Sequence, residues 1–171
     1  MSNPVQAEGL LHKPLPKPMP QSLNKVILHM VFSTKDRRPL IDSDIRPRLH
    51  AYMAAIIRDI ESPQSQAYRV GGVADHVHIA ATLPRTVTIA KLFETVKKES
   101  SSWIKKQGAH YSDFYWQNGY GNFSIGPSQL DQLIRYIDNQ EEHHKTVSFQ
   151  DEFRKLLEKY QIEYDERYVW D

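Results

Sequence analysis

Val26 to Phe32 is nearly all apolar and rich in strand formers, the pattern of a strand buried on both faces, so the rest of the chain has to be arranged around it. Periodicity supplies the other elements. Asp42 or Ser43 caps a helix running to about Ile60, with Ile45, Leu49, Tyr52, Met53, Ile56 and Ile60 recurring at three and four; Pro47 falls in its first turn, where proline is tolerated. Ser62-Pro63 ends it. Strands at Tyr68 to Val73 and His76 to Leu83 flank Ala74-Asp75, and Pro84 closes the second. Thr88 starts a helix to about Lys106 with an apolar stripe of Ile89, Leu92, Phe93, Val96, Trp103 and Ile104. Phe114 to Ile125 reads as one short irregular strand plus a loop. Ser128 with Asp131 opens a helix whose stripe is Leu130, Leu133, Ile134 and Ile137. Ser148 with Asp151 opens a last helix with Phe149, Phe153, Leu156, Leu157 and Tyr160 on its apolar face. The order predicts an α+β, ferredoxin-like β-α-β-β-α-β unit, an antiparallel sheet with helices on one face, followed by two further helices.

At 171 residues the chain has room for one domain, predicted over 21–171. Residues 1–20 hold five of the ten prolines and no period, which reads as a disordered or extended tail, either a leader or a stretch upstream of an alternative start at Met19. The absence of cysteine excludes disulfides, a thiolate nucleophile and thiolate metal sites, so any metal must sit on N and O ligands. With no apolar run long enough for a membrane span and no apolar leader, a cytoplasmic protein without membrane partners is expected. The net charge of +1 hides an asymmetry: residues 1–140 carry 17 basic against 12 acidic groups (+5), and residues 141–171 carry 5 against 9 (−4). A polyanionic partner for the body of the domain and a chance fluctuation are equally compatible with that difference.

Two stretches carry chemistry. His76 and His78 are two apart on a predicted strand, so their imidazoles share a face and can hold one cation; a packed or surface role is the commoner fate of strand histidines. Tyr136 and Gln140 are four apart on a predicted helix, about 40° apart around its axis and on the flank of the apolar stripe. Taken alone, that tyrosine is an ordinary amphipathic-flank residue. His143 and His144 read as structural or DNA-contacting rather than as ligands, and His29 is ambiguous.

His76-Val77-His78 on a strand, followed by a helix bearing Tyr136-x-x-x-Gln140, resembles the single-tyrosine HUH transposases, which move insertion sequences as single-stranded DNA, and their REP-associated relatives. The resemblance runs from about Met19 to Asp171 and extends to Phe32-Ser33-Thr34-Lys35-Asp36-Arg37-Arg38-Pro39, Trp116-Gln117-Asn118-Gly119-Tyr120-Gly121, Gln140-Glu141-Glu142-His143-His144 and the closing Tyr164 to Asp171. It implies that the Tyr136 helix is catalytic, that Tyr136 is the nucleophile, and that His76, His78 and Gln140 ligate Mg²⁺ or Mn²⁺. It further implies a 5′-phosphotyrosine intermediate, recognition of DNA hairpins at element ends, and a homodimer. The rivals are a domesticated or non-catalytic single-stranded nucleic-acid binder on the same fold, a related replication or plasmid-transfer nickase, and a metal hydrolase. The hydrolase finds no carboxylate partner in the motif and no use for Tyr136.

Holding DNA requires basic groups. Lys35, Arg37 and Arg38 share one loop beside the first strand, suited to phosphates or base edges or else merely solvated. Lys91, Lys98 and Lys105 recur every seven residues and form one line along a helix, which either contacts a hairpin backbone or is a solvated face with Glu94 paired to Lys98. Trp116 and Tyr120 are candidates for stacking on unpaired bases or for core and loop anchors.

Overall fold

A computed structural model describes residues 22–61 and 64–170. The predicted 1–20 tail lies outside these. Four strands, β1 (Ile27–Ser33), β2 (Ala67–Gly72), β3 (His76–Thr82) and β4 (Gly121–Ile125), form one sheet in the order β2-β3-β1-β4 with every neighbour antiparallel. The long helices between them are α1 (Arg46–Ile60) and α2 (Ile89–Lys105), and α3 (Leu130–Asp138), α4 (Gln140–His143) and α5 (Phe149–Lys159) follow β4. This is the ferredoxin-like arrangement that the order of elements predicts.

The two faces of the central strands do different work. Leu28, Met30 and Phe32 of β1 and Val77, Ile79 and Ala81 of β3 pack under Leu49, Met53 and Ile57 of α1 and Leu92, Phe93 and Val96 of α2, forming the main core. Burying such side chains stabilises the fold by about 1.5–3 kcal/mol each. The alternate residues of the same strands, His29, Val31, Ser33, His76, His78 and Ala80, face the other way, where α3 and α5 cover them through Leu133, Ile137, Phe149, Phe153 and Leu157. The register Val31 opposite His78 and His29 opposite Ala80 brings three histidines onto that face.

Glycine allows the covering helices to approach. A Cβ on Gly71 would lie 2.6 Å from Ile137 Cγ2 and 3.0 Å from its carbonyl oxygen, so α3 rests directly on β2, and Gly121 likewise makes room for the Phe153 ring of α5.

Local signals mostly match. Thr88 accepts from the Lys91 amide and Ser148 from the Asp151 amide, and Asp42, rather than Ser43, accepts from the amides of Asp44 and Ile45 ahead of α1. The expected Ser128–Asp131 cap is not formed: Pro127 starts a 3₁₀ turn (Pro127–Gln129), and the Gln129 side chain accepts from the Gly126 amide instead. Trp116 is core, its indole donating to Ser100 Oγ at 2.9 Å and its ring packed edge-on against Phe32. Tyr120 stacks on Phe93 as a loop anchor. Glu94 pairs with Lys91 at 3.1 Å, not with Lys98. Lys97 was not singled out from sequence, yet its ammonium is held by the carbonyls of Gln117, Asn118 and Gly119, tying the loop before β4 to α2. Burial lowers its pKa to about 8. No described helix is long and apolar enough to cross a membrane.

Candidate active site

Strand alternation on β3 points His76 and His78 at the covering helices, both fully buried. A break in the helix at Asn139 separates α3 from α4, but the spacing of Tyr136 and Gln140 survives it, with the Gln140 amide 3.5 Å from the Tyr136 carbonyl. Gln140 Oε1 stands 3.2 Å from His76 Nε2, so the residues predicted from the two stretches do meet.

At their meeting point stands a residue the sequence reading placed only on an apolar helix. Glu152 of α5 is 3% exposed, a burial that carboxylates tolerate only when paired. Its Oε2 lies 3.2 Å from His78 Nε2, 3.0 Å from His144 Nε2 and 3.6 Å from His76 Nε2. Its Oε1 accepts from the Tyr136 hydroxyl and, at 3.1 Å, from the Gln140 amide. Glu152 thus supplies the carboxylate that the histidine motif itself lacks. His76, His78, His144 and Glu152 constitute a group able to hold a metal ion, with ligand atoms within 4.8 Å of one another. The donor set is imidazole nitrogen and carboxylate oxygen, which fits a divalent cation. His144, expected to be structural or DNA-contacting, joins this group, whereas His143 lies beside the Tyr136 ring with its Nε2 3.5 Å from Glu152 Oε1 and making no hydrogen bond.

An outer ring of partners orients the imidazoles. Asp75 holds His76 Nδ1 at 2.6 Å, His29 Nε2 pairs with His78 Nδ1 at 2.8 Å, and the Val147 carbonyl accepts from His144 Nδ1 at 2.7 Å. Burial, aided by the neighbouring imidazoles, lowers the pKa of His78, and burial and His78 lower that of His29. For Glu152, burial acts to raise the pKa, but hydrogen bonds from His144, His78 and Tyr136 outweigh it and keep the carboxylate ionised, well below the usual range. Burial, then the Glu152 charge and hydrogen bond, push the Tyr136 phenol above its ordinary value, so its proton is hard to remove in this arrangement.

Two cavities open onto the centre. One of about 300 Å³ is lined by Tyr136, Glu152, Leu133 and Tyr160, with Lys155 and Lys159 in its wall. The other, about 510 Å³, is lined by Asp75, His144 and Phe149 with Arg37, Arg46 and Lys145. Of the predicted basic residues, Arg37 reaches this region; it sits on the turn after β1 and also donates to the Trp170 carbonyl at 3.2 Å. The acidic C-terminal stretch therefore folds back on its own chain, held as well by Arg154 to Glu166 at 2.7 Å. Lys35 and Arg38 are exposed on the same turn. Lys91, Lys98 and Lys105 do not approach the centre, because α2 packs on the opposite face of the sheet, where Lys105 lies over the Tyr115 ring.

Comparison with known proteins adds independent findings. The family described as "Transposase IS200 like" matches residues 22–140. No curated protein matches the chain. Among solved structures, a REP-associated tyrosine transposase bound to a REP hairpin is similar over 78% of this chain and 76% of its own, at 12% identity and a TM-score of 0.54. A candidate transposase from Deinococcus radiodurans R1 is similar over 73% of this chain and 98% of its own, at 19% identity and a TM-score of 0.49.

Proposed function

Since the chain belongs to the IS200-like transposase family, we propose that it cleaves and rejoins single-stranded DNA through a 5′-phosphotyrosine intermediate, with Tyr136 as nucleophile. The observation that carries this reading is the convergence of Tyr136 and Gln140 from the helical layer with His76 and His78 from the sheet on a single buried point. A Mg²⁺ or Mn²⁺ ion held by His76, His78 and Gln140 would supply Lewis-acid polarisation of a non-bridging phosphate oxygen.

The protein's own residues do the rest. Tyr136 Oη bonds to phosphorus as the bond from phosphorus to the departing 3′ oxygen breaks, and the phenolic proton ends on the released 3′-hydroxyl. For this, Tyr136 must leave Glu152, whose charge opposes loss of that proton. Because the phosphotyrosine keeps the energy of the phosphodiester, a second 3′-hydroxyl can attack it and rejoin strands. Lys35, Arg37 and Arg38 flank the site and would bind the backbone near the cut. Lys91, Lys98 and Lys105, on the far layer, would contact only a hairpin stem that wraps the domain. In this reading the enzyme is a cytoplasmic homodimer and its substrate carries a hairpin, as the DNA of the REP-associated transposase does.

The test is a denaturing gel of labelled top strand, bottom strand and duplex with wild type and Tyr136→Phe. A covalent adduct on one hairpin-forming strand, absent with duplex and with the variant, is expected, while the variant still binds the hairpin. Hairpin binding by wild type without any adduct would favour the non-catalytic binder, and an adduct surviving in the variant would remove Tyr136 from its role.

A further inference from the structure

The region matched by the transposase family ends at Gln140, yet two of the four side chains that converge on the centre, His144 and Glu152, lie beyond it. We propose that His144 and Glu152 are themselves metal ligands, forming with His76 and His78 a closed four-ligand site for a first-row transition-metal ion such as Zn²⁺, Co²⁺ or Mn²⁺. This deepens the reading above, since it concerns the same centre, but a count of ligands can fail while the adduct still forms, and the reverse.

Hydrogen-bond direction makes the first argument. The Val147 oxygen can only accept, and the ionised Asp75 carboxylate can only accept, so His144 Nδ1 and His76 Nδ1 both carry hydrogen, which leaves Nε2 of each ring as the atom that faces the centre and can ligate a metal. His78 is oriented in the same sense when its Nδ1 donates to His29 Nε2. Three Nε2 atoms then face one carboxylate oxygen at 3.0, 3.2 and 3.6 Å. Each Nε2 can meet that oxygen either by donating a hydrogen to it or by sharing a cation with it. Protons can bridge only the two closer contacts, at 3.0 and 3.2 Å, and leave the 3.6 Å approach of His76 to the carboxylate unused. One divalent ion satisfies all four atoms.

Geometry makes the second. Bonds of about 2.0–2.1 Å to a tetrahedral ion place ligand atoms about 3.3–3.4 Å apart; the three carboxylate-to-imidazole separations bracket that value, and all four ligand atoms lie within 4.8 Å of one another. Each ligand also has an outer partner: Asp75, His29 and the Val147 carbonyl for the rings, Tyr136 and Gln140 for the second oxygen of Glu152. Three imidazoles favour zinc-like ions over Mg²⁺, which prefers oxygen and retains water. Mn²⁺ is common to this site and to the proposed reaction. A phosphate oxygen entering the ion's coordination would take the place that Glu152 Oε2 holds here.

The experiment uses the full chain stripped with EDTA and titrated with Co²⁺, followed by visible absorption and calorimetry. Expected are one ion per chain with the strong bands of a tetrahedral site, displacement by Zn²⁺, and none by excess Mg²⁺. Glu152→Gln and His144→Ala should each weaken Co²⁺ binding by more than the roughly 10–100-fold typical of losing an outer-shell partner, and bleach those bands, while Gln140→Ala, which removes an outer partner of Glu152, should weaken binding by no more than that and keep the bands. Should either variant fail to fold, X-ray absorption of the Zn²⁺-loaded wild type counts imidazoles directly: three support the assignment. Two imidazoles, unchanged binding in both variants, or no uptake without DNA would overturn it.

Discussion

Replacing Gly71 by alanine isolates the contact that seats the Tyr136 helix. The added Cβ would stand 2.6 Å from Ile137 Cγ2 and 3.0 Å from Ile137 O, where ordinary contact begins at 3.4 Å, so α3 must retreat by between 0.4 Å (3.4 − 3.0) and 0.8 Å (3.4 − 2.6). Rotating the isoleucine is a poor escape, since a β-branched side chain in a helix has essentially one χ1 well. Overpacking of this kind costs about 1–3 kcal/mol, which for a chain of this length lowers Tm by about 2–12 °C. Tyr136 rides on the displaced helix, and misplacement by about 1 Å can cost on the order of 10²-fold in rate, so adduct formation should fall about 10- to 100-fold at saturating metal and DNA. Metal affinity should hold, because none of His76, His78, His144 and Glu152 is on α3. Single-turnover gels, a thermal melt and calorimetric titration read the three quantities. Adding Ile137→Ala removes the 2.6 Å contact, so Gly71→Ala should cost less in that background, with a coupling of at least about 0.5 kcal/mol. An alanine variant that is destabilised yet forms adduct at the normal rate would refute the claim that this contact positions the nucleophile.

Two other perturbations probe different parts of the molecule. His76→Ala or His78→Ala should reduce Mn²⁺- or Mg²⁺-dependent cleavage far more than Gln140→Ala, because water can replace an amide ligand while a surviving histidine pair holds the ion; EDTA should stop the reaction and added metal restore it, and equal losses in all three variants would contradict the ranking. His50 on α1 is kept neutral by burial and by Arg46, its pKa lowered to about 4, and its Nε2 has no hydrogen-bond partner. Below about pH 6.5 the unfolded chain takes up a proton that folded His50 refuses, so stability present at neutral pH is lost progressively down to about pH 4, by at most about 3 kcal/mol at 1.36 kcal/mol per unit. Urea melts at pH 7, 6, 5 and 4 should show a shallower decline for His50→Gln than for wild type, and parallel curves would remove His50 as a cause.

Much of this was legible because it depends on short-range geometry. Alternation alone put His76 and His78 on one face, helical spacing put Tyr136 beside Gln140, and Thr88 and Ser148 announced their helices through the first free amides. What escaped depends on which face an element covers. The seven-residue period of Lys91, Lys98 and Lys105 fixes a line on α2 but says nothing of which side of the sheet α2 takes, and it takes the side away from the histidines. His29 stayed ambiguous because its meaning comes from strand register, Val31 opposite His78 and Ala80 opposite His29, which only pairing decides. Glu152 left one local sign. It falls three residues after Phe149 and four before Leu156, inside the apolar stripe of α5, where a carboxylate is out of place unless something inside the protein pairs with it. The 3₁₀ turn at Pro127 overrode the Ser128 cap because proline set the backbone before serine could act.

The burial of Glu152 ties the end of the chain to the chemistry of its middle. An ionised carboxylate leaves water at a cost of several kcal/mol unless opposite charge and hydrogen bonds replace its hydration, and here the replacements come from β3, α3 and the segment before α5. Phe149 and Phe153 hold α5 against Val31 and Phe123, while Arg37 and Arg154 hold Trp170 over the same helix, so the apolar packing that docks α5 also delivers its one buried carboxylate to the histidines. Occupancy of the centre and docking of α5 are then linked: an ion bound only when Glu152 is in place stabilises the docked helix by RT ln(1 + [L]/Kd), about 2.7 kcal/mol at a hundredfold excess over Kd. Under the proposed reaction the same linkage would act on Tyr136. While Glu152 accepts the Tyr136 hydroxyl, the phenol is held protonated, and in the proposed reaction a DNA phosphate displacing the carboxylate would also remove the charge that opposes ionisation. In the proposed reaction one glutamate would therefore couple substrate entry to release of Tyr136, with no motion of the sheet that carries the histidines.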